Sequence, residues 1–427
     1  MPEGKFWNER QETMDREERG RFQGEKAIQM FRFAYENSPY YKKKFQDIGL
    51  EPGDIKTMDD FFSKVPYTCK QDLIDSQENT PPYGDFFTAS PHQIVKVYVS
   101  PGPIIEPHTA DDIEALTEHT AMGFYTNGLR KGDVMQITQN YHLVPAGGIS
   151  EDGGRRVGAT IIPTGTGNTE IQVDLMKKLK TTVFRGTPSF LVRISEVIIE
   201  KGLDPRKDFS LRLGIFGAEP LAPVRKRLSD TFGIECRENY GIGEIGIISR
   251  ECPAGGGLHI DEDLFLFEII DPKTGNRLQP GEEGEIVLTN LKRKSIPQIR
   301  YRTGDATIVN LEKCECGRTE AKIVRILGRV DSMTKVRGIF IHPKLVEKVV
   351  SRHPELGRYQ IVVERPGALD EITVKLECLK PVNELAGMKD TLAREMKESL
   401  RIDSDLELME KGSMPDSAKV LLDKREY

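Results

Sequence analysis

Apolar β-type runs recur along the middle of the chain, at Val95 to Val99, Val134 to Ile137, Ala159 to Pro163, Thr182 to Phe184 and Leu211 to Phe216. Between them lie segments with apolar residues at helical spacing: Asp111 to Tyr125, Glu170 to Lys178, Pro188 to Glu200 and Pro223 to Phe232. This alternation predicts a mostly parallel sheet with covering helices. Upstream, residues 8 to 47 read as helical, with Phe31, Phe33, Tyr40 and Phe45 at near-helical spacing, and a short helix begins over Asp59 to Phe62. From 258 to 310 the pattern changes to short strands at Leu264 to Ile270, Gly284 to Leu288 and Ala306 to Leu311, with the turn-rich GNRLQPGEEGE between two of them. After Arg329 a separate unit is expected, with strands at Gln360 to Glu364 and Glu371 to Leu379 and a helix at Asn383 to Leu400. The reading divides the chain into 1–327 and 328–427, with a β-rich part at about 250–325.

A length of 427 residues exceeds one ordinary core and agrees with this division. Hydrophobic content of 37% and charged content of 30% suit a soluble globular chain. No apolar run approaches the ~18 residues that span a bilayer, and the opening MPEGKFWNERQETMDREERGRF lacks the apolar core of a signal peptide. A cytoplasmic protein without a membrane partner is therefore expected. The net charge of −6 argues against nucleic acid as a partner, because phosphate neutralisation needs clustered Lys and Arg. The basic run Lys42 to Lys44 reads as a solvated helix face.

Several short motifs carry chemistry. YRTGD (Tyr301 to Asp305) is read as presenting an aspartate at a loop, where a carboxylate can accept two charge-assisted ribose hydrogen bonds; the plainer reading is a surface Asx turn. In ENYGIGEIG (Glu238 to Gly246), Tyr240 can stack on a base, Gly241 and Gly243 permit close backbone approach, and Glu244 can hold Mg²⁺ with substrate phosphates. The plainer alternative is a Gly-rich turn with a core tyrosine. FGAEP (Phe216 to Pro220) follows a strand-like run, so its backbone could line a base slot at the carboxyl edge of a parallel sheet. GRVDSMTKVRG (Gly328 to Gly338) reads as a tight turn, a charged hinge and the start of a strand. Of the six cysteines, Cys69, Cys236 and Cys378 are isolated, and a disulfide framework is not expected. Cys252 and His259 in ECPAGGGLH, with Cys314 and Cys316 in KCECGR, supply the three thiolates and one imidazole of a tetrahedral structural zinc site, although the spacing is not that of a zinc finger and four unrelated turns would look the same.

The series GNTEIQ, RGTPSF, FGAEP, YGIGE, YRTGD and GRVDSMTKVRG, with the early REERGRFQGEKAIQMFRFAYENSPYYKKKF, resembles the phenylacetate–coenzyme A ligase branch of the adenylate-forming enzymes over nearly the whole chain. That resemblance implies an α/β N-terminal domain that binds ATP and an aryl or acyl acid, and a small mobile α+β C-terminal domain. The acid becomes an acyl-adenylate, and the thiol of coenzyme A then takes the acyl group. By position, Gly217, Ala218, Glu219, Pro220, Asn239, Tyr240 and Gly241 would line the nucleotide site, Asp305 would hold the ribose, and Glu244 would bind Mg²⁺. Arg329 would lie near the nucleotide, Asp331 would be the hinge and Gly338 would lie at the thiol approach. Similar cysteine and histidine placements occur in this branch, and a homodimer is a family expectation.

Four stretches depart from the family pattern. Its Ser/Thr/Gly-rich phosphate loop ending in Gly-Lys-Pro is SPGPIIEPH here (Ser100 to His108): Pro101 and Pro103 remove backbone donors, and Glu106 sets a negative charge where the lysine and polyphosphate would be. The hydroxyl residue before the motif glutamate is Gly243. In the C-terminal tail, Ser417 takes the position of the adenylating lysine; Lys419 lies two residues on, which in a strand would keep it on the same face. The acid-pocket wall becomes NYHLVPAGG, with Tyr141, His142, Pro145 and Ala146 as its candidate lining and His142 as a polar selector, a general base or a structural histidine. The expectation is an acid–thiol ligase with Glu244, Lys419 and Arg329 as catalytic residues. The alternatives are an ATP-independent acyl or thioester enzyme and a non-catalytic nucleotide- or coenzyme-A-binding homologue.

Overall fold

The computed structural model describes residues 4–272, 274–330, 334–337, 339–341, 343–367, 369–415 and 417–425. The expected hinge Asp331 and the expected thiol-approach residue Gly338 lie outside them. The chain forms two compact units, Met1–Gly328 and Arg329–Tyr427.

In the first unit a 12-stranded sheet runs through both the alternating and the β-rich regions. Its parallel half has the order Thr160–Ile162, Val134–Ile137, Val183–Gly186, Leu213–Phe216 and Glu235–Ile242. Side chains alternate across these strands because successive Cβ atoms point to opposite faces. Phe184 and Phe216 pack with Val173, Leu191, Ile194 and Leu228 from the helices Thr169–Lys178, Pro188–Glu200 and Ala222–Phe232. Val183, Leu213 and Ile215 pack with Phe124 and Val157 from the helices Ala110–Asn127 and Ala146–Val157. A parallel sheet needs both faces covered, and the apolar runs read from the sequence supply the central layer.

After Glu235–Ile242 the chain reverses into Gly246–Glu251, and the sheet continues antiparallel through Leu258–Ile260. The β-rich strands thus continue the same 12-stranded sheet. The N-terminal helices Arg16–Asn37, Pro39–Gln46 and Met58–Lys64 cover this half, with Phe31, Phe45 and Phe61 in one core with Phe265, Ile286, Leu288 and Tyr301. The run expected at Val95 to Val99 forms Ile94–Ser100, but among the described residues it pairs with Ile104–Thr109 in a separate antiparallel ribbon. Exposed Val95 and Val97 on that strand show why: a single buried face suits a ribbon edge and not a central parallel strand.

The second unit holds a four-stranded sheet in the order Asp405–Met409, Glu371–Cys378, Leu356–Glu364 and Leu421–Asp423. Its core joins Val346, Val363, Val374, Leu392 and Met396. The helix expected over Asn383 to Leu400 is broken into Val382–Leu385, a 3₁₀ turn at Ala386–Met388 and Lys389–Leu400, where Gly387 interrupts the helical run. Ser417 and Lys419 precede the strand Leu421–Asp423, so the even-offset argument for a shared strand face does not hold. The backbone carbonyl of Lys419 accepts Gln360 Nε2 at 2.8 Å.

Candidate functional site

Parallel strands deliver FGAEP and ENYGIGEIG to the same edge of the sheet. Leu213–Phe216 pairs with Glu235–Ile242, with Phe216 opposite Glu238. Ala218 leaves its strand with φ +70°, and Ser189 N–H donates to Glu219 Oε2 at 3.3 Å. Asn239 is buried, and both polar atoms of its amide lack a hydrogen-bond partner. Tyr240 donates its hydroxyl to Asp305 Oδ2 at 2.6 Å, joining two motifs separated by 65 positions.

Asp305 does not sit on a loop as expected. YRTGD opens the strand Tyr301–Asn310, whose pairing with Glu283–Asn290 shifts register between Glu285 and Val287. Thr303 Oγ1 donates to the Ile286 carbonyl at 2.8 Å and Gly304 N–H donates to Glu285 Oε1 at 3.0 Å. A bulge therefore presents the aspartate, and bulges re-aim side chains while keeping them on a rigid element.

Glu244 is buried and has partners on both sides. Tyr301 donates its hydroxyl to Oε1 at 2.6 Å, and Lys70 Nζ lies 3.6 Å from Oε2. Its backbone carbonyl accepts Arg293 Nη1 and Gln298 Nε2, each at 2.8 Å. Lys70 opens the helix Lys70–Asn79 and also donates to the carbonyl of Pro101. Sequence reasoning missed Lys70, Arg293 and Gln298. Lys70 is an isolated lysine far from the motifs, and Arg293 and Gln298 sit in LKRKSIPQIR, which reads as an ordinary basic surface run.

The altered SPGPIIEPH segment is a strand–turn–strand ribbon joining Ser100 to Ile104. Glu106 lies on its second strand, 2% exposed, where it accepts the Ser100 hydroxyl and lies 3.6 Å from Arg293 Nη1. It is not a free negative charge facing a phosphate, contrary to the expectation drawn from its position. Burial pushes its carboxyl up to about 7, against the opposing pull of Arg293. Gly243 has a steric cause as well: a Cβ there would stand 2.9 Å from Ser100 Oγ. The Ser100 hydroxyl that abuts this position donates to Glu106.

In NYHLVPAGG, Tyr141 packs against Gly147 and its hydroxyl is buried. His142 is exposed, with its backbone N–H donating to Asn140 Oδ1 at 2.8 Å. Pro145 is the N-cap of the helix Ala146–Val157, so Pro145 and Ala146 fix where the wall turns into helix. Arg329 ends the strand Lys322–Arg329.

Cys252, His259, Cys314 and Cys316 converge. Their ligand atoms all lie within 4.8 Å of one another and all four residues are buried. Cys252 Sγ and Cys314 Sγ are 3.7 Å apart, and Cys316 Sγ is 3.4 Å from His259 Nε2. Arg318 Nη1 reaches Cys316 Sγ at 3.6 Å, and Glu320 lies 4.0 Å from His259 Nδ1. Soft donors, closure by four protein ligands and a charged outer shell fit a structural tetrahedral ion.

Two family models match the chain: AMP-binding enzyme over residues 127–291 and AMP-binding enzyme C-terminal domain over 338–425. A phenylacetate–coenzyme A ligase of Thermus thermophilus is 31% identical over 95% of this chain and 96% of its own length. A phenylacetate–coenzyme A ligase of Pseudomonas putida is 35% identical over 81% of this chain and 78% of its own. Among solved structures, 2-hydroxyisobutyryl-CoA ligase in complex with 2-HIB-AMP and CoA superposes with a TM-score of 0.92 at 26% identity, covering 100% of this chain and 94% of that one. The expected α/β adenylate-forming fold is borne out by that superposition. With full-length identity above 30%, the chain belongs to the AMP-binding enzyme family, in its phenylacetate–coenzyme A ligase-like branch.

Proposed function

We propose that the protein is an AMP-forming acid–thiol ligase. In the first half-reaction a carboxylate oxygen of the acid attacks the α-phosphorus of ATP and pyrophosphate leaves. In the second, the sulfur of coenzyme A attacks the acyl carbon and AMP leaves. The observation that carries this reading is the junction of Tyr240 with Asp305 and of Glu244 with Tyr301 at one sheet edge, beside the ribbon turn contacted by Lys70.

In this reading Tyr240 stacks on the base while Asp305 accepts the ribose hydroxyls, and their mutual hydrogen bond holds both in place. Glu244 is the carboxylate that would hold Mg²⁺, which would neutralise charge on the transferring phosphates. Positioning and charge neutralisation supply most of the rate in such chemistry. The burial of Glu106 beside Ser100 and Arg293 supports ATP-dependent chemistry over the ATP-independent alternative, because a carboxyl pushed up to about 7 opposes a phosphate less than a free carboxylate would. Cys252, His259, Cys314 and Cys316 would hold a structural zinc ion that ties the KCECGR turn to the strands bearing Arg250 and His259. The enzyme would act in the cytoplasm as a homodimer, which sedimentation of the purified protein checks.

The deciding experiment is acid-dependent exchange of pyrophosphate into ATP, followed by coenzyme A-dependent release of AMP. Exchange with at least one acid is expected, and Glu244→Ala is expected to suppress it. Turnover of an acyl-CoA without ATP, and no exchange with any acid, would overturn the assignment.

A further inference from the structure

Among the described residues, buried arginines are paired with carboxylates, with one exception. Among the described residues, Arg19 pairs with Glu262, Arg250 with Glu320, Arg293 with Glu106, Arg300 with Glu268, Arg318 with Glu12 and Arg425 with Asp370. Arg185, in RGTPSF, is 5% exposed, and no carboxylate among the described residues pairs with it. Its contacts are long ones to neutral oxygens: Nε donates to Ser150 Oγ and Nη1 to the Ile215 carbonyl, each at 3.4 Å. Its guanidinium carbon stands 5.4 Å from the centre of the Phe124 ring. Burial without a compensating anion depresses its pKa to about 10. An unpaired buried cation is among the costliest features a core can carry, so its retention calls for a ligand.

The surroundings of Arg185 say where that ligand lies. Ser150 belongs to the helix that Pro145 and Ala146 begin, and it donates to Gln139 Oε1 at 2.6 Å, next to the Asn140–Tyr141 wall. On the other side, a Cβ on Gly217 would stand 3.4 Å from Arg185 Nη1 and 3.1 Å from the Asn239 carbonyl, so the FGAEP backbone passes directly over the guanidinium. Asn239, beside it, keeps an unpartnered buried amide. The guanidinium therefore lies between the acid wall and the nucleotide slot.

We propose that Arg185 is a specificity-determining residue that receives a second carboxylate on the acid, so that the preferred substrates are dicarboxylic acids. This deepens the ligase assignment and rests on it. The planar guanidinium matches a carboxylate with two parallel hydrogen bonds, and the Asn239 amide offers a further donor. The reacting carboxylate then faces the nucleotide while the second one neutralises the buried charge.

The test compares wild type with Arg185→Gln on matched pairs: succinate through suberate against butanoate through octanoate, and para-carboxyphenylacetate against phenylacetate. Binding is read by calorimetry and turnover by pyrophosphate exchange. Wild type is expected to favour the best dicarboxylate by at least about tenfold in both. Arg185→Gln is expected to lose about 100-fold on that dicarboxylate while the monocarboxylates and the KM for ATP change little, and Arg185→Lys is expected to restore part of the preference. Because the substitution removes an uncompensated charge, its melting temperature should not fall. Equal loss on both acid classes would mean that Arg185 grips the reacting carboxylate or only supports the fold, and would overturn the proposal. So would a wild type that binds the monocarboxylates as well. Dicarboxylate binding that depends on Arg185 but gives no exchange would leave the specificity residue in place and count against the ligase assignment alone.

Discussion

Tyr301 donates its hydroxyl to Oε1 of Glu244 at 2.6 Å, so the first residue of YRTGD and the carboxylate of YGIGE form one buried pair across 57 positions. Burial, reinforced by the Glu244 charge, lifts the Tyr301 phenol well above its usual value, so it remains a donor at any working pH. Tyr301→Phe leaves that carboxylate oxygen without its donor inside the fold. The expected outcome is a 10- to 100-fold loss of kcat for adenylation, as follows from losing about 1.5–3 kcal/mol of a charge-assisted hydrogen bond, with the KM for the acid unchanged. Stopped-flow adenylate formation checks it; normal kcat would remove Glu244 from the reacting centre.

The Tyr240 hydroxyl and Asp305 hold one another at the expected nucleotide site. Tyr240→Phe keeps the ring and drops the hydrogen bond, so the KM for ATP should rise about tenfold, the equivalent of ~1.4 kcal/mol. Asp305→Asn should raise it further, by removing the charged acceptor for the ribose. Inosine triphosphate and deoxy-ATP serve as probes: the deoxy analogue should lose its penalty in Asp305→Asn.

Glu106 gives the protein a pH dependence of unusual sign. Its folded pKa of about 7 lies above the usual value of 4.5, so the folded state holds a proton that the unfolded state releases first. Stability therefore falls as pH rises from about 4.5 to about 7 and levels off above, with a total of about 3 kcal/mol at 1.36 kcal/mol per unit. Glu106→Gln should remove this slope. The measurement is the melting temperature of both proteins between acid and mildly alkaline pH; the variant's advantage should grow with pH, and a constant offset would refute the assignment.

The cysteine–histidine cluster predicts stoichiometric zinc in the purified protein. Cys316→Ser should abolish it and destabilise the first unit by on the order of 4 kcal/mol, the scale of losing a structural metal. Elemental analysis and chelator-dependent melting read this out. Retention of full thermal stability in the metal-free protein would rule out a structural role.

Lys419, two residues beyond Ser417, is the lysine nearest in sequence to the family's adenylating position. Lys419→Ala is expected to slow adenylation by more than about 100-fold, as for removal of a charge that acts only in the transition state. Transfer from preformed acyl-adenylate to coenzyme A should be unchanged. Equal loss in both half-reactions would argue for a role in folding of the tail.

Much of the first unit was legible because its signals are local. The parallel strands and their helices were readable from apolar runs and their period, and the strand at Val134–Ile137 and helix at Pro188–Glu200 fall where the pattern put them. The cysteine–histidine group was readable from residue chemistry alone. YRTGD was misread as a loop because a bulge depends on the partner strand, whose Glu285 and Ile286, contacted by Gly304 and Thr303, leave no trace in the motif.

The amino-acid sequence by itself determined the fold class, the family, the order of the nucleotide motifs and the set of zinc-ligand candidates, because periodicity and short motifs survive reading one residue at a time. Only the tertiary structure decided the electrostatics. That Glu106 is buried beside Ser100 and Arg293, that Lys70 arrives beside Glu244, and that Arg185 stands buried with no carboxylate partner among the described residues are properties of side chains brought together by the fold. Charge–charge energies depend on distance and burial, and folding alone sets both.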